Sequence, residues 1–265
     1  MVERRSIEWS KVVAPLVLGL LVLGAWEATV RIAKIPPYLL PGPILILQTL
    51  VQDWRTLMES WWITMSISLA ALAAAVVVGV GLAVAFAASR WIERSFFPYA
   101  VILQVTPIVA IAPLIIIWVN DVKLSLLICA WIVAFFPILS NTTVGLNSAD
   151  RNLTDLFRLY RANWWQSLRY LKLPSAMPYF LAGLRISGGL SLIGAVVAEF
   201  VAGTGGTQSG LAYRILESGY QLRIPRMFAA LLLISASGIL LFLGLSLLSH
   251  FCLRRWHESE INAER

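Results

Sequence analysis

Six long apolar runs alternate with short polar breaks along this chain. They lie at about residues 12–32, 61–88, 96–119, 124–146, 178–202 and 227–251. Each is near or above the ~20 residues a helix needs to cross a hydrocarbon layer. The interval between the fourth and fifth runs has a different pattern. From Asp155 to Pro174 the sequence reads DLFRLYRANWWQSLRYLKLP. Leu153, Leu156, Phe157, Tyr160, Trp164, Leu168 and Leu171 recur at steps of three and four, the period of one helix face. Arg158, Arg161, Trp165, Arg169 and Lys172 form a second stripe with similar spacing. Asn152 stands three before Asp155, and Asn163 three before Gln166, two capping-box patterns with Asn in the cap role. The pattern predicts two short helices, a bend near Arg161–Asn163 and a stop at Leu173-Pro174. Such an island is too amphipathic to cross a bilayer and too regular for a linker. It has the character of a docking surface.

The other breaks are read the same way. IPPYLLPGP, Ile35 to Pro43, interrupts the helix with repeated prolines. Ile44 to Met58 has helical periodicity and predicts an amphipathic helix on the membrane surface. Ala71, Ala75, Gly79, Ala83 and Ala87 recur every four residues, a stripe that lets a second helix approach closely. Arg90–Arg94 is expected to be a tight basic loop. Pro107 and Pro113 interrupt the third run, as in helices broken where they line a path. Asn141 belongs to a polar cluster in the fourth run after Pro137, for which bonding between helices is the favoured role over path contact. Glu27 is expected to pair with Arg31 at the end of the first run, and Glu199 lies at the end of the fifth. GTGGTQSG, within the stretch Gly203–Arg226, lacks the Lys-Ser/Thr of a phosphate loop and predicts an outer loop or re-entrant turn.

Composition narrows the class. The chain has 265 residues, 59% hydrophobic and 13% charged, where soluble domains average about 25% charged. With a mean hydropathy of +0.79 it is a multi-span membrane protein. A net charge of +7 is compatible with nucleic-acid binding, but the basic residues sit at the ends of apolar runs, so no nucleic-acid partner is expected. With six spans, fourteen of the 21 Lys and Arg fall on the side of both termini and the island. The bias of positive charge toward the inside then puts both termini in the cytoplasm. No cleavable signal is expected. Cys129 and Cys252 are expected to be small buried apolar residues.

No catalytic residues and no metal-ligand spacing are visible, so the chain is expected not to be an enzyme, and no metal or cofactor is expected on it. The island instead resembles a known motif. Asp155, Ala162, Trp165, Leu173-Pro174, Pro178 and Ala182-Gly183-Leu184-Arg185-Ile186 are similar to the cytoplasmic loop of permeases from bacterial ATP-binding-cassette importers. The resemblance extends to Gln104–Pro107, Ala112-Pro113-Leu114, Phe135–Ile138, Asn141-Thr142 and Ala198-Glu199. The subgroup it resembles is the nitrate/sulfonate/taurine type, which includes permeases for thiamine-precursor pyrimidines. Two positions depart from the motif. Asp155-Leu156-Phe157 stands for the usual Glu-Ala-Ala, and Arg161 for the usual glycine, at a bend that a side chain should disfavour if it is left-handed.

The resemblance implies an all-α membrane protein with six transmembrane helices. A cytoplasmic head would cover 1–11, the permease domain 12–253 with its coupling loop at 150–175, and a cytoplasmic tail 254–265. It implies two ATPase subunits that carry ATP and Mg, a second permease copy forming a homodimer, and a periplasmic or lipoprotein substrate-binding protein. The expected ATPase-coupling residues are Asp155, Leu156, Phe157, Arg158, Arg161, Ala162 and Trp165, with Trp164 packing inward. The expected path residues are Pro107, Pro113, Asn141 and Glu199. The expected cargo is a small organic solute, imported into a bacterial cell across its inner membrane. The alternative is an ion-coupled secondary transporter, for which intramembrane carboxylates would be needed; only Glu27 and Glu199 qualify.

Overall fold

The computed structural model describes residues 9–203 and 209–254, with side chains from residue 13 onward. Most of the predicted head and tail, and Thr204–Gln208 of the GTGGTQSG stretch, lie outside the described residues. The described chain is all helix: α1 (Trp9–Ile32), α2 (Pro43–Gln52), α3 (Trp54–Ala88), α4 (Arg90–Val105), α5 (Ile108–Val119), α6 (Val122–Asn147), α7 (Arg151–Leu159), α8 (Trp164–Ser167), α9 (Leu173–Ala202), α10 (Leu211–Tyr220) and α11 (Ile224–Leu253). A π-helical turn, Leu168–Lys172, joins α8 to α9. Five stretches are long and apolar enough to cross a membrane, and α4 with α5 make a sixth if their 102° bend falls within one span.

α6 is the hub, packed chiefly against α3 and α9. Small residues make those approaches close. A Cβ on Gly145 would meet the Ala176 Cα at 2.8 Å, and one on Gly194 the Ala130 Cα at 2.9 Å. Without an exclusion of water to drive helices together in lipid, such contact surface is what holds them. Ala71, Ala75 and Ala83 of the predicted stripe are fully buried, and Gly79 of that stripe faces Ile138 of α6. α1 stands apart. Its apolar window buries nothing, and it is fastened at its end. There Glu27 accepts from Arg31 Nε at 2.6 Å and from the Ile44 backbone N–H at 3.2 Å.

Several element boundaries differ from the sequence expectation, each for a local reason. The periodic stretch Ile44–Met58 is cut at Asp53, whose N–H closes α2 on the Thr49 carbonyl, so Trp54 already opens α3. Arg90–Arg94 is helix, the first turn of α4, because the Ser89 side chain accepts from the Ile92 N–H. Pro113 sits inside α5 without ending it, and the break falls at Thr106-Pro107 instead. Leu173-Pro174 does not stop the island. Pro174 lacks an N–H, and the π turn before it absorbs the mismatch, so helix runs unbroken from Trp164 to Ala202. The stretch expected as an outer loop or re-entrant turn contains α10, whose first N–H groups are held by Thr64 and Glu199. Cys129 is buried, but Cys252 is exposed, because it faces outward on α11, an apolar helix that the bundle covers on few positions.

Candidate functional site

The island folds as a compact module at one end of the bundle. α7 is capped by Asp150 rather than Asn152: Asp150 Oδ1 accepts from the Asn152 N–H at 2.7 Å and from the Leu153 N–H at 3.4 Å. α7 ends in a Schellman turn. The Ala162 N–H reaches the Phe157 carbonyl and the Arg161 N–H the Arg158 carbonyl, both at 2.9 Å. The residue at the left-handed position of that turn is Arg161, with φ 53°. A side chain there costs about 1 kcal/mol relative to glycine, and the two carbonyls satisfied by the turn offset it. The expected bend therefore forms without the glycine. The second capping box forms in full: Asn163 Oδ1 accepts from the Gln166 N–H at 2.8 Å, and Gln166 Oε1 from the Asn163 N–H at 2.7 Å.

The module separates two adjacent tryptophans. Trp164 packs against the core formed by α3, α6 and α9. Trp165 is 70% exposed, with its ring edge-on to Trp164 at 4.7 Å between centroids. Leu156 and Leu159 of α7 and its C-cap Tyr160 are exposed as well, although α7 is strongly two-faced. So the apolar face of α7 is only partly covered by its own chain: Leu156 is 45% exposed and Phe157 half-buried. Leu156, Phe157, Tyr160, Ala162, Gln166 and Tyr170 surround a notch of about 320 Å³. Asp155 and Arg158 stand beside it, 3.4 Å apart and both solvated. Six of the seven predicted coupling residues lie on α7 or its closing turn, and Trp165 lies on the next helix.

The four predicted path residues do not form one cluster. Pro107 caps α5 at the 102° break. It lines a cavity of about 330 Å³ with Gln104, Thr106, Ile132, Pro137 and Leu190 among others. Asn141 is one step removed: its Nδ2 donates to the Pro137 carbonyl of its own helix at 2.8 Å, not across to another helix as expected on sequence grounds. Pro113 does not line that cavity, and nor does Glu199.

Glu199 is 3% exposed, at the opposite end of the bundle from α7. Thr64 Oγ1 donates to its Oε1 at 2.8 Å, and the Ala212 N–H to its Oε2 at 3.0 Å. The Leu211 N–H donates to Thr64 Oγ1 at 2.9 Å. The carboxylate thus receives the first turn of α10, where free N–H groups and the helix dipole favour an anion. A Cβ on Gly210 would fall on that carboxylate. Arg214 then ties α10 to α3 through the Ser60 hydroxyl at 2.9 Å and pairs with Glu217 at 2.9 Å. Sequence reasoning missed Thr64, Ser60 and α10 itself. Thr64 and Glu199 are 135 positions apart, and the local signal was two residues, Leu211 and Ile215, one turn apart.

The chain matches the family described as binding-protein-dependent transport system inner membrane component, over residues 75–252. It belongs to that family. The match begins in α3 and takes in the broken α4–α5 element, the α7 module and α9. Among similar proteins is the riboflavin transport system permease protein of Chloroflexus aurantiacus, 33% identical over 257 residues that cover 96% of this chain and 94% of that one. The formylaminopyrimidine transport permease protein of Halalkalibacterium halodurans is 32% identical over 90% of this chain and 94% of its own. The taurine transport system permease protein of Escherichia coli is 27% identical over 89% of this chain and 86% of its own. The fold is similar to that in a crystal structure of an amino acid ABC transporter with histidines, with TM-score 0.63 and 16% identity over 78% of this chain and 97% of that chain. This permease is therefore a multi-pass membrane component of an ABC transport system, of the nitrate/sulfonate/taurine type. Transport, not catalysis, is the business of its family.

Proposed function

We propose that this permease forms the translocation path of an importer driven by separate ATPase subunits that carry ATP and Mg, and that the α7–α8 module is where force enters. The observation that carries this reading is the largely exposed apolar face of α7, with Trp165 beside it. Aromatic and aliphatic side chains presented by a rigid element are the usual anchors of a protein interface. Asp155, Arg158 and Arg161 supply polar contacts at the rim of the notch, Leu156, Phe157 and Ala162 supply its apolar body, and Trp165 stands beside it. On this reading the module sits in a groove of the ATPase on the cytoplasmic side, the termini share that side, and α4 with α5 count as one of six spans. Closure of two ATPase subunits then moves the modules of two permease copies, and α9 turns with its module. An extracytoplasmic binding protein delivers cargo at the opposite end.

For the cargo we infer a small, uncharged, nitrogen-containing ring compound. The cavity at the α4–α5 break is walled by Ile108, Ile132, Val133 and Leu190, with Gln104 and Thr106 as its hydrogen-bonding side chains. Two relatives are named for riboflavin and formylaminopyrimidine, both such compounds. Glu27 and Glu199, the carboxylates an ion-coupled transporter would use, each accept hydrogen bonds from their own chain. The test is the complex purified from its native membrane, with ATPase activity measured in lipid. With Asp155→Ala and Trp165→Ala together, the ATPase subunit is expected to be lost on purification while the permease stays folded. Full co-purification and unchanged hydrolysis would sink the proposed coupling role.

A further inference from the structure

We propose that a cavity beside the coupling module binds a phosphate-bearing anion, in the first place the headgroup of an anionic phospholipid. The cavity, about 670 Å³, lies where the end of α3, the start of α4, the end of α6 and the π turn meet. Arg90, Arg94 and Lys172 line it, with Glu93 as the one carboxylate and Asn147 as a further donor. Among the described residues, none of these five side chains makes a hydrogen bond or ion pair. Three cations thus converge on one space, and the carboxylate beside them compensates one charge at most. At the other end of the bundle Arg31, Arg55, Arg214 and Arg226 each have a carboxylate within 4 Å; Lys34, Lys123 and Arg223 there have none among the described residues, but none of these three lines the cavity.

The surroundings favour a lipid. Phe97 and Phe86 form the cavity's apolar wall. On α4, Trp91 and Tyr99 are 75% and 67% exposed, and Trp and Tyr concentrate at the level of lipid headgroups. A cavity with a wet, cationic mouth and an aromatic wall at that depth suits a phosphodiester whose chains lie along α4. Basic pockets between spans on the cytoplasmic side are where anionic headgroups bind; this step rests on the orientation proposed above. Lys172 belongs to the turn that joins the coupling module to α9, so an occupant would touch the moving part.

The test titrates the purified full chain, with whatever subunits accompany it, in mild detergent by native mass spectrometry. The probes are phosphatidylglycerol, phosphatidylcholine and inorganic phosphate. Phosphatidylglycerol is expected to bind and phosphatidylcholine not. The combined variant Arg90→Gln, Arg94→Gln, Lys172→Gln should bind phosphatidylglycerol at least tenfold more weakly, since each such cation contributes about fivefold near a membrane surface. Arg254→Gln, at the same end but outside the cavity, should leave it unchanged. Glu93→Gln should tighten binding, a change that misfolding cannot produce. If inorganic phosphate binds with the same dependence on the variants and phosphatidylglycerol does not, the site holds but its ligand is soluble. Phosphatidylglycerol and phosphate binding both within twofold of the unaltered chain in the triple variant would overturn the proposal. Because the readout is binding to this chain, it stands or falls separately from ATPase co-purification.

Discussion

The two ends of this permease handle their polar groups in opposite ways. At the α10 end, Glu199, Thr64, Ser60, Arg214 and Glu217 bond to one another and to the backbone of α10. Glu27 holds α1 to α2 in the same manner, and Arg226 lies 3.2 Å from Asp53, close enough for an ion pair although its N–H is not aligned for a hydrogen bond. At the α7 end the backbone is tightly bonded, with two caps and a Schellman turn, yet Leu156, Leu159, Tyr160 and Trp165 are exposed. Arg151, Arg161 and Arg169 have no carboxylate partner among the described residues, and Arg169 lies 5.7 Å over the Tyr170 ring. At one end the buried polar groups are fastened within the chain. The other is a rigid frame that leaves its contacts to something else.

That contrast predicts where substitutions hurt. The largest effect is expected at Glu199. Glu199→Ala strands the Ala212 N–H and one bond of Thr64 in a buried site, at a cost of about 3 kcal/mol or more, and should sharply lower the thermal midpoint of the detergent-solubilised chain. A midpoint within a degree of the parent would mean that the α10 end is not self-contained. The paired tryptophans come next. Trp164→Ala should destabilise the chain by about 3 kcal/mol through the lost packing. Trp165→Ala should change stability by no more than about 0.5 kcal/mol while weakening ATPase capture. Equal losses of stability at the two positions would erase the distinction between frame and face. Arg161→Gly is expected to stabilise the α7 turn by about 0.5–1 kcal/mol, read as slower amide exchange at Ala162. If ATPase capture falls despite that gain, the guanidinium is a contact. The smallest effect belongs to Arg55→Ala, which removes a fully solvated pair with Glu59 at 3.4 Å and should leave the midpoint unchanged.

The sequence carried the spans and the module better than the fastenings between them. Apolar runs and three-to-four spacing are local, so they are written in consecutive residues. The capping box of Asn163 and Gln166 was legible for the same reason, as was the pairing of Glu27 with Arg31. Asn152 was misread as a cap because Asp150 lies two residues earlier and offers a better-placed carboxylate. Leu173-Pro174 was misread as a stop because a π turn, which no spacing announces, lets the helix pass a proline. The bond between Thr64 and Glu199 joins distant positions, and neither residue type signals the other. A path could be suspected from Pro107, but only the fold separates it from Pro113, which sits inside α5 away from the cavity.

One consequence of the π turn reaches beyond its own five residues. Because helix continues from Trp164 to Ala202, the exposed Trp165 and the carboxylate that receives α10 are mounted on a single axle, 39 residues or about 58 Å long. Such an axle conveys torque. A twist applied at Trp165 would run along it toward Glu199, where α10 is gripped. Slack can enter in the wide turn at Leu168–Lys172, which acts as the clutch between the two.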